Sequence, residues 1–184
     1  MNYIVQQADI DVLRKAGVSD GDIDHSVKVA KKALEIALRI GGNGIDHELV
    51  GRGALFHDLG KAATHEMTHG RIGAEMGRKI GLPDEITAIM EKHIRGGLTE
   101  PEARELDLPV KDYTLRRLEE RIVIYADRLV DIIHDGIVKV ATEREAEDRF
   151  EVILRTYPKY GKNEITLNRY LVYHREIQGL MRTR

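Results

Sequence analysis

Apolar residues recur every three or four positions along almost the whole chain of 184 residues, and no segment keeps an alternation of period two for long. The first spacing places apolar side chains on one face of a helix, whereas a half-buried strand needs the second. We therefore predict an all-α protein that folds as a compact bundle of roughly seven or eight helices. A chain of this length buries one sizeable core, so residues 1–184 are expected to form a single domain.

Capping residues, glycines and prolines divide this pattern into eight predicted helices. These cover 9–16, Asp22 or Asp24 to 40, 46–60, 68–81, 83–96, a long stretch within 113–136, 142–158 with Thr142 and Glu145 as a capping box, and a last helix from Asn163. Residues 100–112 are rich in charges and contain two prolines, which predicts a loop. The last helix offers a surface on which two copies of the chain could associate.

Composition excludes several classes of protein. The formal net charge is −2 with 33% charged residues, so the chain lacks the basic excess that stable nucleic-acid binding usually needs. There are no cysteines, which excludes disulfides and thiolate metal sites. No apolar run has the length of a signal peptide or a membrane span. We expect a cytoplasmic protein that binds neither nucleic acid stably nor a membrane.

Six histidines and aspartates occupy the apolar faces of the predicted helices. His25, for example, heads the stripe of Val29, Ala33, Ile36 and Ile40. Any one of them alone is more often a hydrogen-bonded core residue than a ligand. Six in one small domain would each need separate partners, whereas a metal centre satisfies all of them at once. The predicted ligands are His25, His57, Asp58, His69, His93 and Asp127.

The order and local context of these residues resemble the HD-domain metal-dependent phosphohydrolases. The resemblance rests on "HSVKVA", "LFHDLGK", "HGRIGAEMG", "IMEKHIRGG" and "IVIYADRL". It covers residues 22–135, an HD metal-binding core, and leaves 136–184 as a C-terminal helical extension. His69 and His93, which lie between Asp58 and Asp127 in the sequence, are similar to the two additional histidines of the two-metal branch of this family. Bacterial HD proteins that split diadenosine tetraphosphate symmetrically belong to that branch.

Two differences from related families narrow the range of expected substrates. The Gly-Tyr-Pro element of cyclic-di-GMP phosphodiesterases is absent, and residues 59–62 replace the acidic signature of alarmone hydrolases. The expected substrate is a small phosphorylated compound, in particular a nucleotide. Monophosphates, dinucleoside polyphosphates, cyclic nucleotides and other phosphate esters stay open.

The resemblance implies two divalent ions bridged by Asp58. His25, His57 and Asp127 would complete the shell of one ion, and His69 and His93 would hold the other. A hydroxide between the ions would then attack phosphorus. Iron or manganese is expected, and the donor set also suits zinc, cobalt and nickel.

Three basic residues follow the predicted ligands closely. Lys61 lies one turn after His57 and is expected to join Asp58 in catalysis by binding a phosphate oxygen. Arg71 and Arg95, each two residues after a ligand histidine, are predicted to bind substrate. The alternative for all three is an exposed cation at a helix end.

Two other functions compete with phosphoester hydrolysis. "HEMTH", residues 65–69, matches the H-E-x-x-H pattern of zinc proteases, in which both histidines lie on one helix face. Thr68 instead predicts a helix that begins at His69 and leaves His65 in a loop. The second alternative is a non-catalytic HD regulatory module, which would be expected to lose ligands that this chain keeps.

Overall fold

The computed structural model describes residues 3–42 and 44–182, and this part of the chain is helical without any strand. The predicted all-α fold is therefore confirmed. Seven helices have nine residues or more, in line with the predicted seven or eight, and four are shorter. The helices are α1 Gln7–Lys15, α2 Asp20–Ile40, α3 His47–Phe56, α4 His69–Lys79, α5 Asp84–Lys92, α6 Glu100–Glu105, α7 Leu118–His134, α8 Glu143–Asp148, α9 Phe150–Thr156, α10 Pro158–Gly161 and α11 Glu164–Arg182.

Side-chain caps set several of the helix starts. The carboxylate of Asp46, the residue at which this helix was predicted to begin, accepts a hydrogen bond from the Leu49 amide and caps α3. Asn163 accepts from the Thr166 amide at the start of α11. In α2, however, the cap is Ser19, so the helix begins before both aspartates predicted to cap it.

Two predicted helices end earlier than expected, and both ends lie at predicted ligands. Helix α3 stops at Phe56, and the chain continues through His57 and Asp58 into a 3₁₀ turn at Leu59–Ala62. Helix α5 stops at Lys92, and a second 3₁₀ turn spans Ile94–Gly96. His57, Asp58 and His93 thus occupy turns rather than helix interiors.

The prediction of a loop over residues 100–112 is wrong in its first half. Residues 100–105 form α6, because Glu102 accepts a hydrogen bond from the Thr99 amide and caps the helix start. The predicted helix over 142–158 is likewise two helices, α8 and α9, which meet at Arg149. Such short helices carry too few apolar repeats to be recognised by periodicity.

Helices α2, α3 and α7 pack against one another and form the centre of the core. Helix α11 packs across α2 and α7 and buries Tyr170, Leu171 and Ile177 there. A smaller apolar cluster, separate from this core, includes Leu98 and Tyr113. Within the described residues, we find no helix with the length and apolarity needed to cross a membrane.

Candidate metal centre

Three of the four predicted histidine ligands are held in the same way. The Nδ1 atoms of His57, His69 and His93 each donate a hydrogen bond to the carbonyl three residues earlier, at 2.6, 2.7 and 2.6 Å. This bond favours the tautomer with the proton on Nδ1 and leaves Nε2 of each ring as the atom that would bind a metal. His57 and His93 directly follow α3 and α5 and keep helical backbone angles, so each ring can reach the carbonyl of the turn before it.

Asp58 lies at the centre of the cluster and is buried. Its Oδ1 atom is 3.2 Å from Nε2 of His69 and 3.3 Å from Nε2 of His93. Its Oδ2 atom is 3.2 Å from Nε2 of His57 and 3.9 Å from Nε2 of His25. The two oxygens of one carboxylate therefore face two separate pairs of imidazoles.

Asp127 closes the side of the cluster that contains His25. Its Oδ1 atom is 3.0 Å from Nε2 of His25 and 3.5 Å from Nε2 of His57. It reaches this position from the middle of α7, where the apolar residues around it face the core. The structure thus brings together all six residues that the sequence analysis selected as ligands.

The donor atoms suit divalent transition metals. Ligating atoms of His25, His57 and Asp58 lie within 4.8 Å of one another, as do those of Asp58, His69 and His93. Nε2 of His57 is buried without a hydrogen-bond partner, and Nε2 of His69 lies 2.8 Å from Nε2 of His93. Converging imidazole lone pairs with carboxylate oxygens are the donor set expected for iron, manganese or zinc.

Charge in this cluster shifts the pKa values of its members. Burial opposes the charged form of His57, but the charges of Asp58 and Asp127 outweigh it and raise the pKa of the imidazole well above its usual range. Burial also works against ionisation of Asp58, yet His57 and the other histidines hold the pKa of that carboxyl well below its usual range. Burial lowers the pKa of His93. Without metal, the cluster therefore holds protons that bound cations would displace.

Gly60 explains how the 3₁₀ turn after His57 and Asp58 reaches α4. A side chain at this position would overlap the carbonyl of His69, and the backbone nitrogen of Gly73 lies close to the same point. The backbones of the 3₁₀ turn and α4 can meet only because both positions are glycine. This contact sets the position of Asp58 relative to His69.

The three predicted basic residues differ in their positions. The ammonium of Lys61 lies 2.5 Å from Oδ2 of Asp58. Arg95 lines a cavity of about 320 Å³, which is also lined by all of the predicted ligands except His57. Arg71 instead pairs with Glu75 at 2.5 Å and lines a neighbouring crevice, so the prediction that it binds substrate has no support in this geometry.

Sequence reasoning missed four residues at the site. Asp131 forms a third donor group with His25 and Asp127, and burial together with the charge of Asp127 raises its pKa to about 6. Its position one turn after Asp127 was a signal that helical spacing could have provided. The cavity is also lined by Arg128, Lys162 and Tyr170, of which two come from the C-terminal part of the chain. No sequence pattern links those two to the ligands.

The protease motif does not adopt the helical arrangement that zinc proteases require. His65 lies in a bend before α4 and is exposed, with its Nε2 atom 3.4 Å from Asp22. Glu66 is exposed as well. His65 and His69 therefore do not share a helix face, as the cap at Thr68 predicted.

A helical bundle whose buried imidazoles and carboxylates converge on one cavity defines a class of helical metal-binding proteins. The family model of the HD domain matches residues 22–131, and the chain belongs to this family. Its relatives include an uncharacterized protein of Methanocaldococcus jannaschii, which is 37% identical over 166 residues, or 89% of this chain and 92% of that protein.

Other relatives match only part of their own length. The tRNA (cytidine(56)-2'-O)-methyltransferase of Picrophilus torridus is 37% identical over 140 residues, which are 76% of this chain and 39% of that enzyme. Ribonuclease Y of Pseudothermotoga lettingae is 40% identical over 73 residues, 39% of this chain and 14% of that protein.

A solved structure shares the fold. The HD domain of the L. monocytogenes phosphodiesterase PgpH has a TM-score of 0.62 and 17% identity, and the alignment covers 97% of each chain. The same domain in complex with cyclic-di-AMP has a TM-score of 0.61 and 18% identity, and the alignment covers 94% of this chain and 98% of that one. At this level of identity the similarity shows a common fold.

Proposed function

We propose that this protein is a metal-dependent phosphohydrolase that cleaves a phosphate ester or anhydride of a nucleotide. The observation that carries the proposal is the position of Asp58, whose two oxygens each lie 3.2 Å from a different histidine. Membership of the HD family and the resemblance to two-metal phosphohydrolases support the same chemistry.

The residues divide naturally between two ions. One ion would be held by Oδ2 of Asp58 together with His25, His57 and Asp127. The other would be held by Oδ1 of Asp58 together with His69 and His93. Bound divalent ions would activate water and stabilise charge on phosphoryl oxygens, with iron or manganese as the expected metals. Lys61, which contacts Asp58, would exchange this contact for one with a phosphate oxygen, since a flexible ammonium adapts easily to a new partner.

The size of the cavity and the comparisons support a nucleotide substrate. A volume of about 320 Å³ lies at the lower end of the usual range for small-molecule sites. A structural neighbour is described in complex with cyclic-di-AMP. Diadenosine tetraphosphate stays a candidate through the family resemblance alone.

The test is a screen of phosphate esters with protein reconstituted with manganese or iron. The panel should contain AMP, ADP, diadenosine tetraphosphate, cyclic-di-AMP and a short RNA oligonucleotide. We expect hydrolysis of at least one small nucleotide, and about two ions per chain by elemental analysis of the same sample. Asp58→Asn should abolish hydrolysis and lower the metal content, because Asp58 is the ligand common to the donor groups of both ions.

Glu66→Gln is the matched control because Glu66 is an exposed carboxylate near the site that is not part of the donor groups. It should leave both hydrolysis and metal content unchanged. Loss of activity in Glu66→Gln with activity retained in Asp58→Asn would contradict the proposal. A reconstituted protein that hydrolyses none of the compounds would also count against it.

A further inference from the structure

Besides Lys61, three basic side chains line the cavity of the metal centre, and they come from separate segments of the chain. Arg95 lies in the 3₁₀ turn after α5, Arg128 is on α7, and Lys162 directly follows α10. Only Lys162 belongs to the C-terminal part, which lies beyond the residues matched by the family model. We call these three residues the cationic cluster. The fold brings them to one wall of a cavity that also contains the predicted ligands.

Arg128 has more hydrogen-bond donors than the protein satisfies. It is 7% exposed, and its guanidinium contacts Asp131 at 3.3 Å and the Tyr170 hydroxyl at 3.1 Å. Its Nε atom is buried without a partner. An unpaired donor on a buried cation is costly, and an anion in the cavity would remove that cost.

The other two members of the cluster lack acidic partners within the described residues. Neither the Arg95 guanidinium nor the Lys162 ammonium forms an ion pair there, although most basic residues of this protein do. Desolvation lowers the pKa of Lys162, and the positive charges of Arg128 and Arg95 lower it further. Asp131 acts on both Arg128 and Lys162, and Asp127 also acts on Arg128, so these carboxylates offset part of the positive charge of the cluster.

Backbone conformation gives a second, independent observation. Only three non-glycine residues in the described chain have a positive φ, and Arg95 and Lys162 are two of them, at 49° and 64°. Such conformations cost energy for residues with a side chain, and they concentrate at binding and active sites. Helix α11 holds the first of them, because Arg169 donates a hydrogen bond to the Arg95 carbonyl at 3.0 Å and Tyr173 donates one to the Gly96 carbonyl at 2.8 Å.

We propose that the cationic cluster binds a second phosphate group of the substrate, beside the phosphate that reacts at the metal ligands. The substrate class is then a nucleotide with at least two phosphate groups, such as a polyphosphate or a dinucleotide. This inference rests on the proposed function for the reacting phosphate. The cluster itself is an anion site that needs no metal, because guanidinium and ammonium groups bind phosphate directly.

Inorganic phosphate and metal-free full-length protein provide the direct test. Isothermal titration calorimetry should show phosphate binding that Lys162→Gln weakens roughly ten- to hundredfold, the loss expected for one charge-assisted contact. Arg95→Asn should weaken binding similarly, and asparagine tolerates the left-handed backbone at that position. Circular dichroism checks that both variants fold.

Lys159→Gln is the matched control. Lys159 lies in α10, three residues before Lys162, and pairs with Asp135 at 2.6 Å outside the cavity. It should retain the affinity of the unmodified protein for phosphate. The proposal is overturned if the metal-free protein binds no phosphate, or if Lys162→Gln and Arg95→Asn bind it as tightly as Lys159→Gln.

Manganese-loaded protein separates this inference from the proposed function. Loaded protein should bind one more phosphate than metal-free protein, and Asp58→Asn should remove that additional phosphate. If phosphate still binds through Lys162 in a protein that hydrolyses nothing, the cationic cluster stands and the proposed function fails. If metal-dependent hydrolysis occurs but Lys162→Gln leaves phosphate binding unchanged, the proposed function stands and the second subsite is wrong.

Discussion

At the scale of single residues, Lys61 is the cation closest to the carboxylate of Asp58. Its ammonium lies 2.5 Å from Oδ2 of Asp58 and 3.8 Å from Oδ1 of Asp22. Burial works against its charge, but Asp58 more than compensates and raises the pKa of the lysine. Lys61 therefore stays protonated at neutral pH, which a phosphate-binding residue requires.

Lys61→Gln tests whether this charge acts on the substrate. We expect kcat/KM for a hydrolysed phosphate ester to fall roughly ten- to a thousandfold, because one charge-assisted contact to the reacting phosphate is lost. The metal content should be retained, since Lys61 supplies no ligand. Steady-state kinetics and elemental analysis on one sample provide both values. The control is Lys79→Gln, because Lys79 is an exposed lysine at the end of α4. If Lys61→Gln has the same kcat/KM as this control, Lys61 does not act on the substrate and has only a structural role.

The histidines predict how metal binding depends on pH. In the metal-free protein, burial opposes the charged forms of His25 and His57, but their aspartate neighbours raise the pKa of both. Their contribution to folding is therefore fully present below the unfolded pKa of about 6.5 and is lost as the pH rises through the higher folded values. A metal ligand must be neutral, so bound metal has the opposite dependence.

We expect manganese to raise the melting temperature more at pH 8 than at pH 6. Differential scanning calorimetry with and without manganese at both pH values measures this difference. His65→Ala should behave like the unmodified protein, because this exposed imidazole lies outside the donor groups. A metal-induced shift that is as large at pH 6 as at pH 8 would show that these histidines do not release protons to the metal.

At the scale of elements, the site depends on how two helices end. Both α3 and α5 stop one residue before a predicted ligand histidine, which then bonds to the carbonyl three residues earlier. The predicted helices over 46–60 and 83–96 were continuous because the apolar spacing does not change at these points. After the first break, the 3₁₀ turn closely approaches α4 at Gly60, and this contact between elements is not visible in the apolar spacing.

Gly60→Ala tests that contact. The added methyl group would overlap the His69 carbonyl, so the turn and α4 must separate. We expect the free energy of unfolding to fall by roughly 1–3 kcal/mol and the metal affinity to fall with it, because Asp58 moves relative to His69. Urea denaturation and metal titration measure the two effects.

Gly21→Ala is the control for this substitution. Gly21 lies in the first turn of α2, where an added methyl group would meet only Ser19 at 3.9 Å. Alanine there should leave stability unchanged or raise it by up to about 1 kcal/mol. If both alanine variants have the same stability and metal affinity, the close approach at Gly60 does not position the ligands.

At the scale of the whole molecule, residues distant in sequence complete the cavity. Tyr170 of α11 and Lys162 lie on the same cavity as Asp58 and Asp127. Helix α11 packs on both α2 and α7, and its arginine and tyrosine side chains bind the turn that carries Arg95. The division into a core at 22–135 and an extension at 136–184 stays a prediction, and the later residues share in the site.

The fold class and the six predicted ligands could be inferred from the amino-acid sequence alone. Helical periodicity is a local property, and a polar residue on an apolar stripe is visible without any tertiary contact. His25, His57, His69, His93 and Asp127 could therefore be chosen from their positions on predicted helices, and the structure places them together with Asp58.

Which basic residues join these ligands depends on how the helices pack. Arg71 and Arg95 each follow a ligand histidine by two positions, yet Arg95 lines the cavity while Arg71 pairs with Glu75. Arg128 and Lys162 reach the same cavity from segments more than thirty residues apart in the sequence. The direction of a side chain at a helix end depends on the turn that follows it and on the element packed against that turn, and neither is encoded in local spacing.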